Sequence, residues 1–157
     1  MIPADALTVQ KFLRRSMNMR VATLSTRGVP HITPLRFIPD EGTIYTLTRA
    51  GSPAARHISA RPGVVLLFDA EQKGSAAQFL RIRAVAAVRS ESHLRQSYER
   101  RAALKYFLRP GGIWNMLTHV RSLGVWVRGL RDRTPANLAL IEFVPQSAEF
   151  LPGVPGG

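Results

Sequence analysis

The sequence predicts a mainly β domain of the α+β class, arranged as a closed or partly closed antiparallel barrel. Three observations carry that expectation. Short β-branched and apolar segments follow one another in the N-terminal half, separated by turns rather than by helices. A later segment, FLRIRAVAAVR, alternates in polarity. Helical patterning is concentrated in one block before a final apolar segment. Strands joined by turns pair antiparallel, whereas a parallel α/β sheet needs a helix at each crossover.

Taken in order, the chain opens with a short helix. Thr8 is placed to cap it, with Val9, Phe12 and Leu13 as its apolar stripe over residues 9–17. Residues 20–26 (RVATLST) read as a strand, and Arg27-Gly28-Val29-Pro30 as a turn. Residues 31–38 (HITPLRFI) form the second strand, Pro39-Asp40-Glu41-Gly42 a second turn, and 43–48 (TIYTLT) the third strand. The three are expected to pair as a meander. Ser52 at an N-cap and Pro53 at the first helical position begin a two-turn helix that stops before Pro62-Gly63.

Residues 64–68 (VVLLF) are a continuous apolar run, expected as a central strand covered on both faces. In residues 79–89, Leu80, Ile82, Ala84, Ala86 and Val88 share one face. Helices are expected over about 91–107 and 113–131, then a strand over 138–144 that Pro145 ends, and a frayed tail over 152–157. One domain spans residues 1–157, with core strands over about 20–89 and 138–144 and a helical segment over about 91–132.

Composition excludes several classes. With no cysteine, disulfides and thiolate metal sites are out, and the absence suits a reducing cytoplasm. No apolar stretch is long enough to read as a membrane-spanning helix. Lys11, Arg14 and Arg15 interrupt the N-terminus, which does not read as a signal peptide. The net charge of +12 points to anionic partners. The excess is uneven, since residues 81–133 hold 12 basic and 3 acidic side chains. A solvated arginine-rich surface accounts for such a segment without any partner.

No dinucleotide-binding glycine motif, Walker loop or nucleophile elbow is present. His31, His57, His93 and His119 show no metal-ligand spacing along the chain, so no metal site is expected. Asp40 and Glu41 read as turn formers, and with so few acids the hard chemistry of an enzyme would fall to a cofactor.

Two segments, RVATLSTRGVPHITPLRFIPDEGTIYTLT and GSPAARHISARPGVVLLFDA, resemble the pyridoxamine 5′-phosphate oxidase-like family, the FMN-binding split β-barrels. Their order carries the likeness: a strand ending in small hydroxyls, a Gly-x-Pro-His turn, a Thr-Pro strand, a Gly-Thr-x-Tyr hairpin, a Gly-Ser helix start and a Leu-Arg-Ile-Arg strand. ALIEFVPQSAEFLP fits as the closing strand.

The resemblance implies a homodimer with flavin in a groove between subunits. It places the cofactor at His31, Thr33 and Arg36 on the second strand, Thr46 and Thr48 on the third, and Ser52 and Arg56 at the short helix, with Arg49 adjacent. The sequence departs from pyridoxamine phosphate oxidase proper, where an Arg-Lys pair follows the serine; here Pro53 and Ala54 follow it. Grip on the phosphate would therefore pass to Thr48, Ser52 and one of Arg36, Arg49 or Arg56. Thr33 and Arg36 have opposite strand parity, and Pro34 marks an edge or bulge between them.

Each of these residues also has a purely structural role open to it: strand propensity for the threonines, an N-cap for Ser52, surface charge for the arginines. The function implied is oxidoreduction of a small molecule with FMN or a deazaflavin, in the cytoplasm. The alternatives are a non-catalytic flavin or haem binder, and a basic protein docking on anionic membrane or nucleic acid. GIWNMLTHVRSLGVWVRGLR would supply the amphipathic surface for the last. Only weak, salt-sensitive association with anionic surfaces is expected of it, without specific nucleic-acid recognition.

Overall fold

The structure is a computed structural model that describes residues 2–70, 78–90, 92–107 and 137–152. Its elements are α1 (Leu7–Arg15), β1 (Met19–Leu24), β2 (Pro30–Leu35), β3 (Ile38–Asp40), β4 (Thr43–Arg49), α2 (Pro53–Ala60), β5 (Gly63–Ala70), β6 (Gln78–Arg89), α3 (Ser92–Phe107) and β7 (Leu138–Pro152). The strands form one antiparallel seven-stranded sheet in the order β2-β1-β5-β6-β7-β4-β3. The expected mainly β architecture with short helices is present.

The meander is not. β2 pairs with β1, but β4 pairs with β7 and β3 rather than with β2. The chain leaves the ladder at Arg36-Phe37, where Phe37 drops into the core with no exposed surface. β2 and β3 thereby become the two edges of the sheet. The sheet curls until β2 lies near β4, and the Thr46 hydroxyl donates to the Arg36 carbonyl across the opening. This is a split barrel. A buried aromatic outweighs continuous strand pairing at that point.

Local chemistry explains the turns. Ser25 N–H donates to Val29 O at 2.9 Å and Gly28 N–H to Ser25 O at 2.9 Å, with Gly28 at φ 79°. In the β3–β4 hairpin Glu41 and Gly42 take φ 42° and 85°. Two successive positive φ values define the tight turn whose twist suits a hairpin, and glycine lowers its cost.

Inside the barrel, one cluster gathers Val21, Phe37, Ile44, Leu66, Phe68, Leu80, Ile82, Ile141 and Phe143. Phe37 and Phe68 meet edge to face at 4.8 Å. Val9, Phe12 and Leu13 of α1 and Ile58 of α2 join it, so both helices cover the interior. The α1 stripe is as the sequence predicts, but its cap is not. The N-cap is Ala6, with no side-chain bond, and Thr8 is already helical.

Val88 keeps its predicted face and is 41% exposed there. Two further readings are corrected. β5 is buried through Val64, Leu66 and Phe68 but only half-buried through Val65 and Leu67. Pro145 does not end the last strand. Arg83 pairs with Ser147 and Ala84 with Pro145, so Gln146 is an extra residue and β7 continues to Pro152. A bulge accommodates the missing proline N–H without ending the ladder.

The expected helix over 113–131, the break at Pro110-Gly111-Gly112 and the tail beyond residue 152 lie outside the described residues. Among the described residues no helix is long and apolar enough to cross a membrane.

Candidate functional site

The start of α2 is built as its sequence dictates. Ser52 Oγ accepts from Ala55 N–H at 3.2 Å, and Pro53 follows it at the first helical position. Ala54, Ala55 and Ile58 are buried, fixing the helix against β1 and β6. The Thr48 hydroxyl, at the end of β4, donates to Ser52 Oγ at 3.3 Å.

Beside this start lies a groove of about 1010 Å³, open to solvent. Thr48, Arg49 and Ser52 line it together with Leu35, Leu47 and Leu138. The groove therefore joins the end of β2, the end of β4 and the beginning of β7. Apolar wall and hydroxyl-plus-cation rim stand side by side, an arrangement suited to a ligand with a flat apolar body and an anionic end.

The predicted residues separate into groups. Thr48, Arg49 and Ser52 are brought together at the groove. Arg56, on α2, and Arg36, just past β2, are exposed and do not line it. Thr33 and His31 sit on the inner side of β2, opposite Val21 and Thr23. Arg36 lies beyond the end of that strand, so parity never constrains it against Thr33, and Pro34 stands in an edge strand without a bulge. Thr46 is fully buried, with its hydroxyl committed to the Arg36 carbonyl. It holds the barrel's opening together and does not face the groove.

Helix starts attract anions through unpaired N–H groups. At α2 that capacity is reduced. Pro53 has no N–H, Ala55 N–H is taken by Ser52 Oγ, and Arg56 N–H donates to Ser52 O at 3.1 Å. Charge must come from side chains. Arg49 and Arg56 make no ion pair among the described residues, unlike Arg20, Arg81, Arg89, Arg95 and Arg101.

His57 is absent from the sequence-derived set. It is half-buried on α2, with its ring centre 4.7 Å from that of His31 and its Nδ1 3.0 Å from Thr23 Oγ1. Loss of hydration, then the neighbouring His31 and Arg56 charges, hold its pKa below the ordinary histidine value. Nothing local marks this pair in the sequence. Leu35, Leu47 and Leu138 are equally unmarked, since apolar strand residues look alike until the sheet closes.

The structure is thus a seven-stranded split barrel with a groove at a helix start. The comparison by sequence places it: a family model described as pyridoxamine 5′-phosphate oxidase matches residues 8–150, and the chain belongs to that family. A search of curated proteins finds no sequence match.

Solved structures share the fold at low identity. A conserved hypothetical protein from Mycobacterium tuberculosis superposes with a TM-score of 0.70 at 16% identity, covering 100% of this chain and 97% of that one. A FAD-binding protein from Mesorhizobium loti gives 0.64 at 14%, covering 92% of each chain. HutZ, the haem storage protein of Vibrio cholerae, gives 0.63 at 15%, again covering 92% of each.

Proposed function

We propose that the chain binds a flavin-type cofactor in the groove beside α2, FMN first and a deazaflavin as the alternative, and uses it for oxidoreduction of a small molecule. The observation that carries this reading is the convergence of Thr48, Arg49 and Ser52 on one rim of a groove walled by Leu35, Leu47 and Leu138. The FAD-binding neighbour from Mesorhizobium loti supports the choice of ligand. A flavin, when bound, supplies hydride and single-electron transfer.

The chain's own residues bind and orient. Thr48 and Ser52 hydroxyls reach toward the phosphate, and Arg49 supplies the charge that Pro53 and Ala54 lack, with Arg56 or Arg36 as a second cation. Guanidinium is suited to this because its planar fork can bind two oxygens at once. The leucine wall keeps water from one side of the ring system.

We further infer a cytoplasmic homodimer. Its contact surface is the outer side of β1, β2 and β5, where Ile32 is 70% exposed and Val65 and Leu67 are half-buried. A second reading, haem binding without catalysis, is favoured by the haem storage neighbour. Association of the basic segment with anionic surfaces stays weak and salt-sensitive on either reading, and is not sequence-specific toward nucleic acid.

The test begins with the absorption spectrum of freshly purified protein and titration with FMN, a deazaflavin and haemin. A flavin band or saturable FMN binding is expected, and Arg49→Ala should weaken it by roughly ten- to a hundred-fold, the effect of losing a hydrogen bond to a charged group. Tight haemin binding with no flavin affinity favours the second reading. If Arg36→Ala, Arg49→Ala, Ser52→Ala and Arg56→Ala all bind like the parent, the phosphate lies elsewhere.

A further inference from the structure

We propose that His31 and His57 form a two-imidazole site for a divalent transition-metal ion of the Cu²⁺, Ni²⁺ or Zn²⁺ class, separate from the groove and independent of whether the groove holds a flavin. The two residues are 26 positions apart and belong to different elements, β2 and α2, yet their ring centres stand 4.7 Å apart with planes inclined at 52°. Two imidazoles bound to one ion at about 2.0–2.1 Å, with an angle between the bonds of roughly 90–110°, place their ring centres roughly 4.5–5.5 Å apart. The observed spacing falls in that interval. It does not suit the two axial positions of haem iron, which lie on opposite sides of the metal and put ring centres roughly 6 Å apart.

Thr23 supplies the supporting shell. It is 2% exposed, it is the register partner of His31 across the β1–β2 ladder, and its Oγ1 is 3.0 Å from His57 Nδ1. In the tautomer that donates Nδ1–H to Thr23, the His57 Nε2 lone pair is left for the metal. Metal-binding histidines usually hand their second nitrogen to an oxygen in this way, which fixes both ring orientation and tautomer. Helix packing holds the other end of the arrangement. Ala54, Ala55 and Ile58 are buried on α2, so His57 is carried on a fixed element.

His31 is exposed, and the site opens to solvent on its side. No group of three or more His, Asp or Glu residues stands together among the described residues. The remaining coordination positions therefore fall to water or to an added small ligand. Imidazole nitrogen suits copper, nickel and zinc, with copper the tightest of the three. The neighbouring Arg56 charge, felt at His57, opposes the cation, so Arg56→Gln should tighten binding.

Cu²⁺ alone is the probe, added to the full chain and followed by calorimetry and electron paramagnetic resonance. The expected result is one equivalent per chain, with nitrogen splitting from two imidazoles. His31→Gln and His57→Gln should each weaken it at least ten-fold, and Thr23→Val by about ten- to a hundred-fold, the usual cost of losing a supporting hydrogen bond. The double variant His93→Gln/His119→Gln should bind like the parent. A parent that takes up no copper, or one whose two-imidazole spectrum survives in His31→Gln, overturns the proposal. His31 is exposed, so that variant decides the matter even where His57→Gln or Thr23→Val fails to fold.

Discussion

The two halves of the sheet's outer side differ in how the described elements cover them. Over β3, β4 and β7 it is covered by α3, where Ile38, Tyr98 and Leu140 are buried and Tyr45, Leu47, Leu94 and Ala102 pack around them. Over β2, β1 and β5 no described element covers it. Ile32 and Leu24 are 70% and 40% exposed there. The first region is completed within the chain, also by the Arg101–Asp40 ion pair and by Lys105, whose ammonium lies 3.7 Å from the centre of the Phe37 ring. The second leaves Ile32 and Leu24 uncovered by any of the described residues. The difference teaches that polarity patterning along a strand identifies the side that faces the interior but not whether the outer side is covered; the elements that pack there decide that.

The largest effect is expected where α3 is attached. Leu140→Ala removes a side chain that is 3% exposed, and should cost about 2–5 kcal/mol in urea unfolding, the range for leucine truncated in a packed site. A cost under about 1 kcal/mol would mean that α3 does not cover this face in solution, and the contrast between the two regions would fail.

On the open face, Val65→Asp should leave monomer stability less affected than Leu140→Ala, while shifting sedimentation from dimer to monomer. A variant that stays monomeric only because the parent is monomeric too would refute the dimer surface. Lys105→Ala tests the polar part of the α3 attachment. It loses the contact over Phe37 and a 3.2 Å bond to the Phe37 carbonyl, and should cost about 0.5–2 kcal/mol. The smallest effect belongs to the open side's rim. Arg20 and Asp69 pair at 2.9 Å with both side chains solvent-accessible, so Arg20→Ala should cost about 0–1 kcal/mol, less in high salt. Equal costs for Arg20→Ala and Lys105→Ala would remove the energetic distinction between the regions.

Much of the fold is legible locally. Ser52-Pro53 announces a capped helix because the cap and the proline act within one turn of themselves. Glu41-Gly42 announces a hairpin turn for the same reason. The alternation of Leu80, Ile82, Ala84 and Ala86 finds its buried side correctly, since a strand's two faces are set by backbone geometry alone. The family resemblance, resting on the serial order of such pieces, follows from them.

What the sequence by itself determined, then, is most of the described elements, the helix start at Ser52-Pro53, the buried side of β6 and the family, whereas the single strand expected over 31–38 is two, β2 and β3. Tertiary structure decided the rest. Thr46 and Thr48 share residue type, strand and face, yet one spans the barrel's opening to the Arg36 carbonyl and the other lines the groove. Pro145 is a strand breaker in isolation and a bulge residue here, because β6 continues past it on the far side of the ladder. β4 turns away from β2 to pair with β7, some 95 residues on, and only that choice creates a groove bounded by Leu35, Thr48 and Leu138. His31 and His57 meet because α2, with His57 in its last turn, and the edge strand β2 are both packed against β1. Short-range interactions act between residues a few positions apart and leave their mark in spacing. Long-range pairings are selected by which surfaces can be buried together, and that competition involves the whole chain at once.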